Sequence, residues 1–145
     1  MNTQRHWPET HCVCTALKRA DRAISRAYDD GLRPAGLGVT QYSLLSLISR
    51  APGPLTVGDL ARAQVMDRTT LSRALAPLQR DGLVQISAGD DRRTRLVSLS
   101  PSGQERVEAA RPLWKATQDE IGSLVGDERL ENLMTELADL VSRVR

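Results

Sequence analysis

Three clusters in this 145-residue chain hold side chains able to do chemistry. The first is "GDDRRTR" at residues 89–95, which sets Asp90, Asp91, Arg92, Arg93 and Arg95 between two segments of alternating apolar and polar residues. The second is "DRTTLSRALAPLQR" at residues 67–80, with Arg68, Thr69, Thr70, Arg73 and Arg80. A guanidinium offers a planar fork of donors that matches two acceptors at once, such as guanine O6 and N7 or two phosphate oxygens, and a threonine bonds a phosphate or touches a thymine methyl. The third cluster is "HCVC", with His11, Cys12 and Cys14, where a thiolate could serve as nucleophile, redox group or metal ligand.

These groups need elements to hold them. Residues 10–31 have Leu17, Ala20, Ile24, Ala27 and Tyr28 at spacings of three and four, which predicts a long helix closed by Gly31. A loop, "LRPAGLG", leads to a second helix from Thr40, apolar at Tyr42, Leu44, Leu45, Leu47 and Ile48. Thr56 and Asp59 form a capping-box pattern for a short third helix. Asp67 is placed as the N-cap of a fourth helix that ends at Gly82, with a kink expected at Pro77 because proline lacks the backbone donor. On that helix Leu71, Leu75 and Leu78 share one face, while Thr69, Arg73, Ala76 and Arg80 project from the other. Two strands, 84–87 and 95–99, flank the charged tip. A fifth helix starts near Pro101, and a sixth carries Leu130, Leu133, Met134, Leu137, Leu140, Val141 and Val144 along one stripe.

The fold class is therefore mainly α: a winged helix-turn-helix with six helices and a two-stranded wing. Base reading falls to the first turns of the fourth helix, and the hairpin tip is placed to enter the adjacent minor groove, with Arg93 inserted and Asp91 holding an arginine in a productive rotamer. Thr56 joins Arg68, Thr69, Thr70, Arg73, Arg80, Asp91, Arg92, Arg93 and Arg95 as the expected DNA-binding set.

The bulk numbers bound the rest. A net charge of +2 is too small to announce a nucleic-acid partner. Its distribution is more informative: residues 1–54 carry seven basic and four acidic groups, 55–100 seven and five, and 101–145 six and nine. The last third is the part least suited to phosphate. Among the 20 basic residues only Lys18 and Lys115 are lysines, which suits planar recognition and equally a GC-rich genome. No apolar run approaches the roughly 20 residues of a membrane span, and "MNTQRHWPETHC" has no signal-peptide core, so a cytoplasmic protein with no membrane partner and reduced cysteines is expected.

"MDRTTLSRALAPLQRDGLV" followed by "DDRRTRLVSLSPSG" resembles the recognition helix and wing of the MarR family of bacterial transcription regulators. The family's wing pattern is Asp-x-Arg, five variable residues and Leu-Thr; Asp91, Arg93 and Leu99 match, and Ser100 stands where threonine is usual. The resemblance covers residues 10–145 and is strongest over 56–103. It implies one domain over 1–145, with dimerisation helices at 10–35 and 101–145 around a winged helix-turn-helix lobe at 36–100. It further implies an obligate homodimer on a pseudo-palindromic operator, a non-enzymatic repressor released by a small-molecule or oxidant effector, with no cofactor.

The same resemblance places Cys14 and Tyr28 where hydroperoxide-sensing members hold their reactive cysteine and one of two tyrosines that bond it; Val39 replaces the second. A thiol in the first helical turn is favoured as thiolate by the helix dipole, and Cys12 and Cys14, two residues apart on a helix, are expected to point away from each other. A small aromatic effector lined by Tyr28 and Tyr42 is the competing signal. A metal cluster of His6, His11, Cys12 and Cys14 matches no standard finger spacing. A thiol enzyme using Cys14 with His11 as base would need an oxyanion device and an orienting group, for which the sequence offers no candidates.

Overall fold

The computed structural model describes residues 11–144. Six α-helices and a small sheet follow in the order α1 (Val13–Leu32), α2 (Val39–Arg50), β1 (Leu55–Thr56), α3 (Val57–Ala63), α4 (Arg68–Arg80), β2 (Val84–Ala88), β3 (Arg95–Leu99), α5 (Pro101–Val125) and α6 (Asp127–Val144). This is a winged helix-turn-helix preceded by one long helix and followed by two.

The wing has three strands, not the expected two. β1 pairs antiparallel with β3 (Leu55 opposite Val97, Thr56 opposite Leu96), giving the order β1-β3-β2. A two-residue strand shows no alternation, so periodicity could not find it. β2 and β3 pair from Val84 opposite Leu99 to Ala88 opposite Arg95, which aims the intervening tip away from the core. At the neck, the Gly89 N–H donates to the Thr94 carbonyl at 2.7 Å. A Cβ on Gly89 would lie 2.9 Å from Thr94 Cγ2, so only glycine lets the strands close there.

With no phenylalanine in the chain, leucine fills the interior: Leu32, Leu44, Leu45, Leu60, Leu71, Leu75 and Leu78 are almost wholly buried with Val97 and Val107. The three leucines of α4 dock its apolar face on this core and leave the arginine face outside. Pro77 lies inside α4, which nevertheless runs unbroken to Arg80. The turn between α3 and α4 is tight enough to put Val65 at φ 54°, a left-handed conformation that a β-branched residue rarely adopts.

Gly31 does not close α1. The helix continues to Leu32, and a 3₁₀ turn over Arg33–Ala35 ends at Gly36, whose φ is 69°. Gly31 is instead a crossing point: a Cβ there would collide with Thr117 Oγ1 on α5. Ser100 begins α5 as its N-cap, accepting from the Gly103 N–H at 3.0 Å and donating to the Gly82 carbonyl at 2.5 Å, so one buried hydroxyl ties α5 to the turn that ends α4.

No residue of α6 is buried. Leu133, Met134 and Val141 are 48%, 57% and 42% exposed, and Val13, Leu17 and Ile24 of α1 are also exposed. Among the described residues no helix is long and apolar enough to cross a membrane.

Candidate nucleic-acid interface

Two caps build the helix-turn-helix from below. The Thr56 hydroxyl accepts from the Asp59 N–H at 3.0 Å and caps α3, and hydrogen bonding from Thr56 holds the Asp59 carboxyl below the ordinary carboxylate range. Asp67 caps α4 by accepting from the Thr70 N–H and the Thr70 hydroxyl, each at 2.8 Å, which also holds its carboxyl low. The Thr70 hydroxyl proton is thus directed into the cap, and what Thr70 retains for a ligand is an acceptor. Thr69 and Arg73 stand exposed on the outer face of α4, as does Arg80 in its last turn.

Between α3, α4 and the wing lies an open cleft of about 520 Å³, walled by Thr56, Arg62, Arg68, Arg93 and Arg95 among others. The fold therefore gathers Thr56, Arg68, Arg93 and Arg95 in one place and leaves Thr69, Thr70, Arg73, Arg80 and Arg92 outside it. Arg68 reaches back over α3, its Nη2 3.5 Å from where a Gly58 side chain would begin. Arg62 is a member of this wall that the expected set omits. It enters the cleft from the last turn of α3, and its Nη2 donates to Asp59 Oδ1 at 2.8 Å. An Asp three residues before an Arg on a helix is the sequence signal that points to it.

Asp91 works differently from expectation. Its carboxylate accepts from the backbone N–H of Arg93 at 3.2 Å, and its carbonyl accepts from the Thr94 N–H at 2.9 Å. No ion pair between Asp91 and an arginine of the tip occurs among the described residues. An aspartate two residues before a donor N–H closes a local turn more readily than it captures a long exposed side chain, which would lose rotamer freedom. Asp91 shapes the backbone that carries Arg93.

The thiol cluster also departs from expectation. Cys12 is the N-cap of α1, with extended backbone (φ −89°, ψ 112°), so it is not on the helix and the argument that helical geometry turns the two thiols apart does not hold. Both thiols are exposed. Hydrogen bonding from the Thr15 side chain and N–H lowers the pKa of the Cys12 thiol. Tyr28 is fourteen residues beyond Cys14 on the same helix, roughly 21 Å along its axis. Its hydroxyl donates to Gln118 Oε1 on α5, and burial pushes its pKa up. Within one chain, then, Tyr28 does not support the Cys14 thiolate. Tyr42 is 6% exposed and stacks on Trp114 with ring centroids 6.0 Å apart. Both tyrosines are core residues in this state. His6 lies outside the described residues, and among those described no three potential ligands come together to hold a metal ion.

Comparison with known proteins agrees with this architecture. A family model described as "MarR family" matches residues 35–94, the stretch from the 3₁₀ turn to the wing tip. A crystal structure of the Mycobacterium tuberculosis transcriptional regulator MOSR in complex with DNA superposes with a TM-score of 0.81 at 38% identity, covering 92% of this chain and 98% of that one. The transcriptional activatory protein BadR of Rhodopseudomonas palustris is 34% identical over 90 residues, and the uncharacterised HTH-type transcriptional regulator YwoH of Bacillus subtilis is 28% identical over 92. Those two matches span 59% and 63% of this chain, and 51% and 66% of the respective relatives' lengths. Taken with the winged helix-turn-helix and its arginine-walled cleft, these similarities show that the chain belongs to the MarR family of transcriptional regulators.

Proposed function

We propose that this protein is a homodimeric transcription regulator that binds double-stranded DNA as a repressor and lets go when a small-molecule or oxidant signal reaches it. The observation that carries the reading is the convergence of the exposed face of α4 and the arginine tip of the wing on one side of the lobe spanning residues 36–100. In this reading α4 lies in the major groove with Arg73 and Thr69 toward the bases, and Arg93 enters the neighbouring minor groove. The helices at 10–35 and 101–145 form the dimer, which would cover the apolar side chains that α1 and α6 leave exposed. The 38% identical MOSR was crystallised on DNA, which supports the same partner here. BadR is named an activatory protein, so the sign of regulation rests on where the operator lies relative to the promoter.

The test is selection of duplexes from a random pool, followed by titration of wild type and Arg73→Ala on the selected duplex and on random DNA. Arg73→Ala should lose about 1–3 kcal/mol on the selected duplex and less on random DNA. A wild-type protein that enriches no duplex would sink the reading.

For the signal, the oxidant arm is favoured by an exposed thiol whose pKa is lowered at the start of a helix. Oxidation to a sulfenic acid and capping by a small thiol would place a bulky group at the N-terminus of α1, within the proposed dimer.

A further inference from the structure

We infer that the cleft between α4 and the wing is a seat for the sugar-phosphate strand, and that Arg62, together with Arg68 and Arg95, grips that strand without reading sequence. The inference rests on the DNA-binding reading above and extends it to a residue that reading does not use. A helix in the major groove and a wing in the adjacent minor groove must straddle the ridge that separates the two grooves, and that ridge is a phosphate backbone. The space left between them here is about 520 Å³ and receives four arginines from three separate elements: Arg62 from α3, Arg68 from α4, and Arg93 and Arg95 from the wing. Among the described residues no carboxylate belongs to its wall. The nearby Asp59 is turned to Arg62 and to the α3 cap, with Oδ1 2.8 Å from Arg62 Nη2.

That bond is an exposed pair on the surface of α3, with the Arg62 side chain 73% accessible. A guanidinium has five N–H donors, so a bond to Asp59 does not exhaust what it can offer phosphate oxygens. The geometry separates two kinds of arginine. Arg73 is outside the cleft, on the surface that faces base edges in this reading. Arg62 comes from the last turn of α3, not from α4, and lines the cleft between α4 and the wing, where the strand is placed in this reading. Phosphate contacts position a protein and carry no sequence information, so Arg62 should contribute equally on every duplex.

The experiment is a salt series with fluorescence anisotropy on two duplexes of equal length, one selected by the wild-type protein and one random, using wild type, Arg62→Ala and Arg62→Lys. Removing one phosphate interaction lowers the slope of log K against log salt by about 0.9. Arg62→Ala should show that drop on both duplexes with the same fold-loss on each, and Arg62→Lys should restore the slope, since it keeps the charge. A slope unchanged in Arg62→Ala, or a loss confined to the selected duplex, overturns the inference while leaving DNA binding intact. A wild-type protein that binds neither duplex overturns the proposed function itself. Thermal melts of Arg62→Ala matching wild type exclude loss of fold as the cause.

Discussion

The Asp67 carboxylate accepts both the backbone N–H and the hydroxyl of Thr70, each at 2.8 Å, so the first turn of the helix placed against DNA is closed by a single side chain. Because these bonds hold the Asp67 carboxyl low, the folded state resists its protonation. The cap's contribution is therefore complete above the unfolded carboxyl value of about 3.9 and is lost as pH falls through the lower folded value. Asp59 acts in the same direction at the start of α3. Thermal melts from pH 7 down to 3 should show a decline that Asp67→Ala makes shallower while lowering stability at pH 7. Parallel curves for the two proteins would mean that the cap does not couple to protons.

Gly31 and Thr117 form a second contact that admits little change. A methyl at Gly31 would overlap Thr117 Oγ1, and Thr117 is buried, with its hydroxyl donating to the Leu113 carbonyl at 3.2 Å. Gly31→Ala should cost about 1–3 kcal/mol by overpacking. Adding Thr117→Ala removes the obstructing atoms, so the double variant should recover most of the loss in urea denaturation. Simple additivity of the two changes would show that α1 and α5 do not meet as closely as this.

The two contacts differ in how far the sequence reveals them. Caps such as Thr56 with Asp59, Asp67 with Thr70 and Ser100 with Gly103 act over three residues, so the order of residue types is enough to find them. The faces of α4 follow from spacing alone. Gly31 reads as a helix end because glycine commonly ends helices, and only the approach of a residue 86 positions away explains it. Tyr28 with Gln118, 90 residues apart, is of the same kind. β1 is too short to carry a pattern. At the wing the sequence does not reveal the bond that Asp91 makes: its pairing with an N–H two positions on depends on a turn that composition does not specify.

That bond yields a prediction that separates two roles for Asp91. If its oxygen serves the Arg93 N–H, Asp91→Asn keeps an acceptor in the same place and should bind the selected duplex at least as tightly as wild type, since a negative charge near phosphate is also removed. Asp91→Ala should be weaker by about 0.5–1.5 kcal/mol, the net worth of one hydrogen bond. If Asn were as damaging as Ala, the carboxylate charge would be the agent, and orientation of a guanidinium would be restored as its task. Arg93→Ala should be the most damaging of the three, most of all on duplexes with A·T-rich flanks.

Met134 offers a cleaner probe of the dimer than a half-buried leucine of the same helix. At 57% exposure within one chain, Met134→Asp places a charge that the monomer tolerates and an apolar subunit contact does not. Light scattering at micromolar concentration should give about twice 15.9 kDa for wild type and one chain mass for the variant, with unchanged helical circular dichroism. A one-chain mass for wild type would remove the dimer from the proposal.

The last prediction concerns which thiol reacts first. Cys14 is the residue that the family resemblance favours, yet Cys12 is the one at the N-cap, with the Thr15 hydroxyl and N–H stabilising its thiolate. Thiolate is the species that attacks alkylating agents and peroxides, so a lowered pKa raises the reactive fraction at neutral pH. Both thiols are exposed, which removes access as the deciding factor. Alkylation with iodoacetamide at pH 7, followed by peptide mass spectrometry, should label Cys12 ahead of Cys14, and Thr15→Val should slow Cys12 without changing Cys14. If oxidant release operates through this group, cumene hydroperoxide with a small thiol present should free DNA from wild type and not from Cys12→Ser. Faster labelling of Cys14, together with release that survives in Cys12→Ser and fails in Cys14→Ser, would return the sensing role to Cys14 and require a subunit partner to supply what Tyr28 of its own chain cannot.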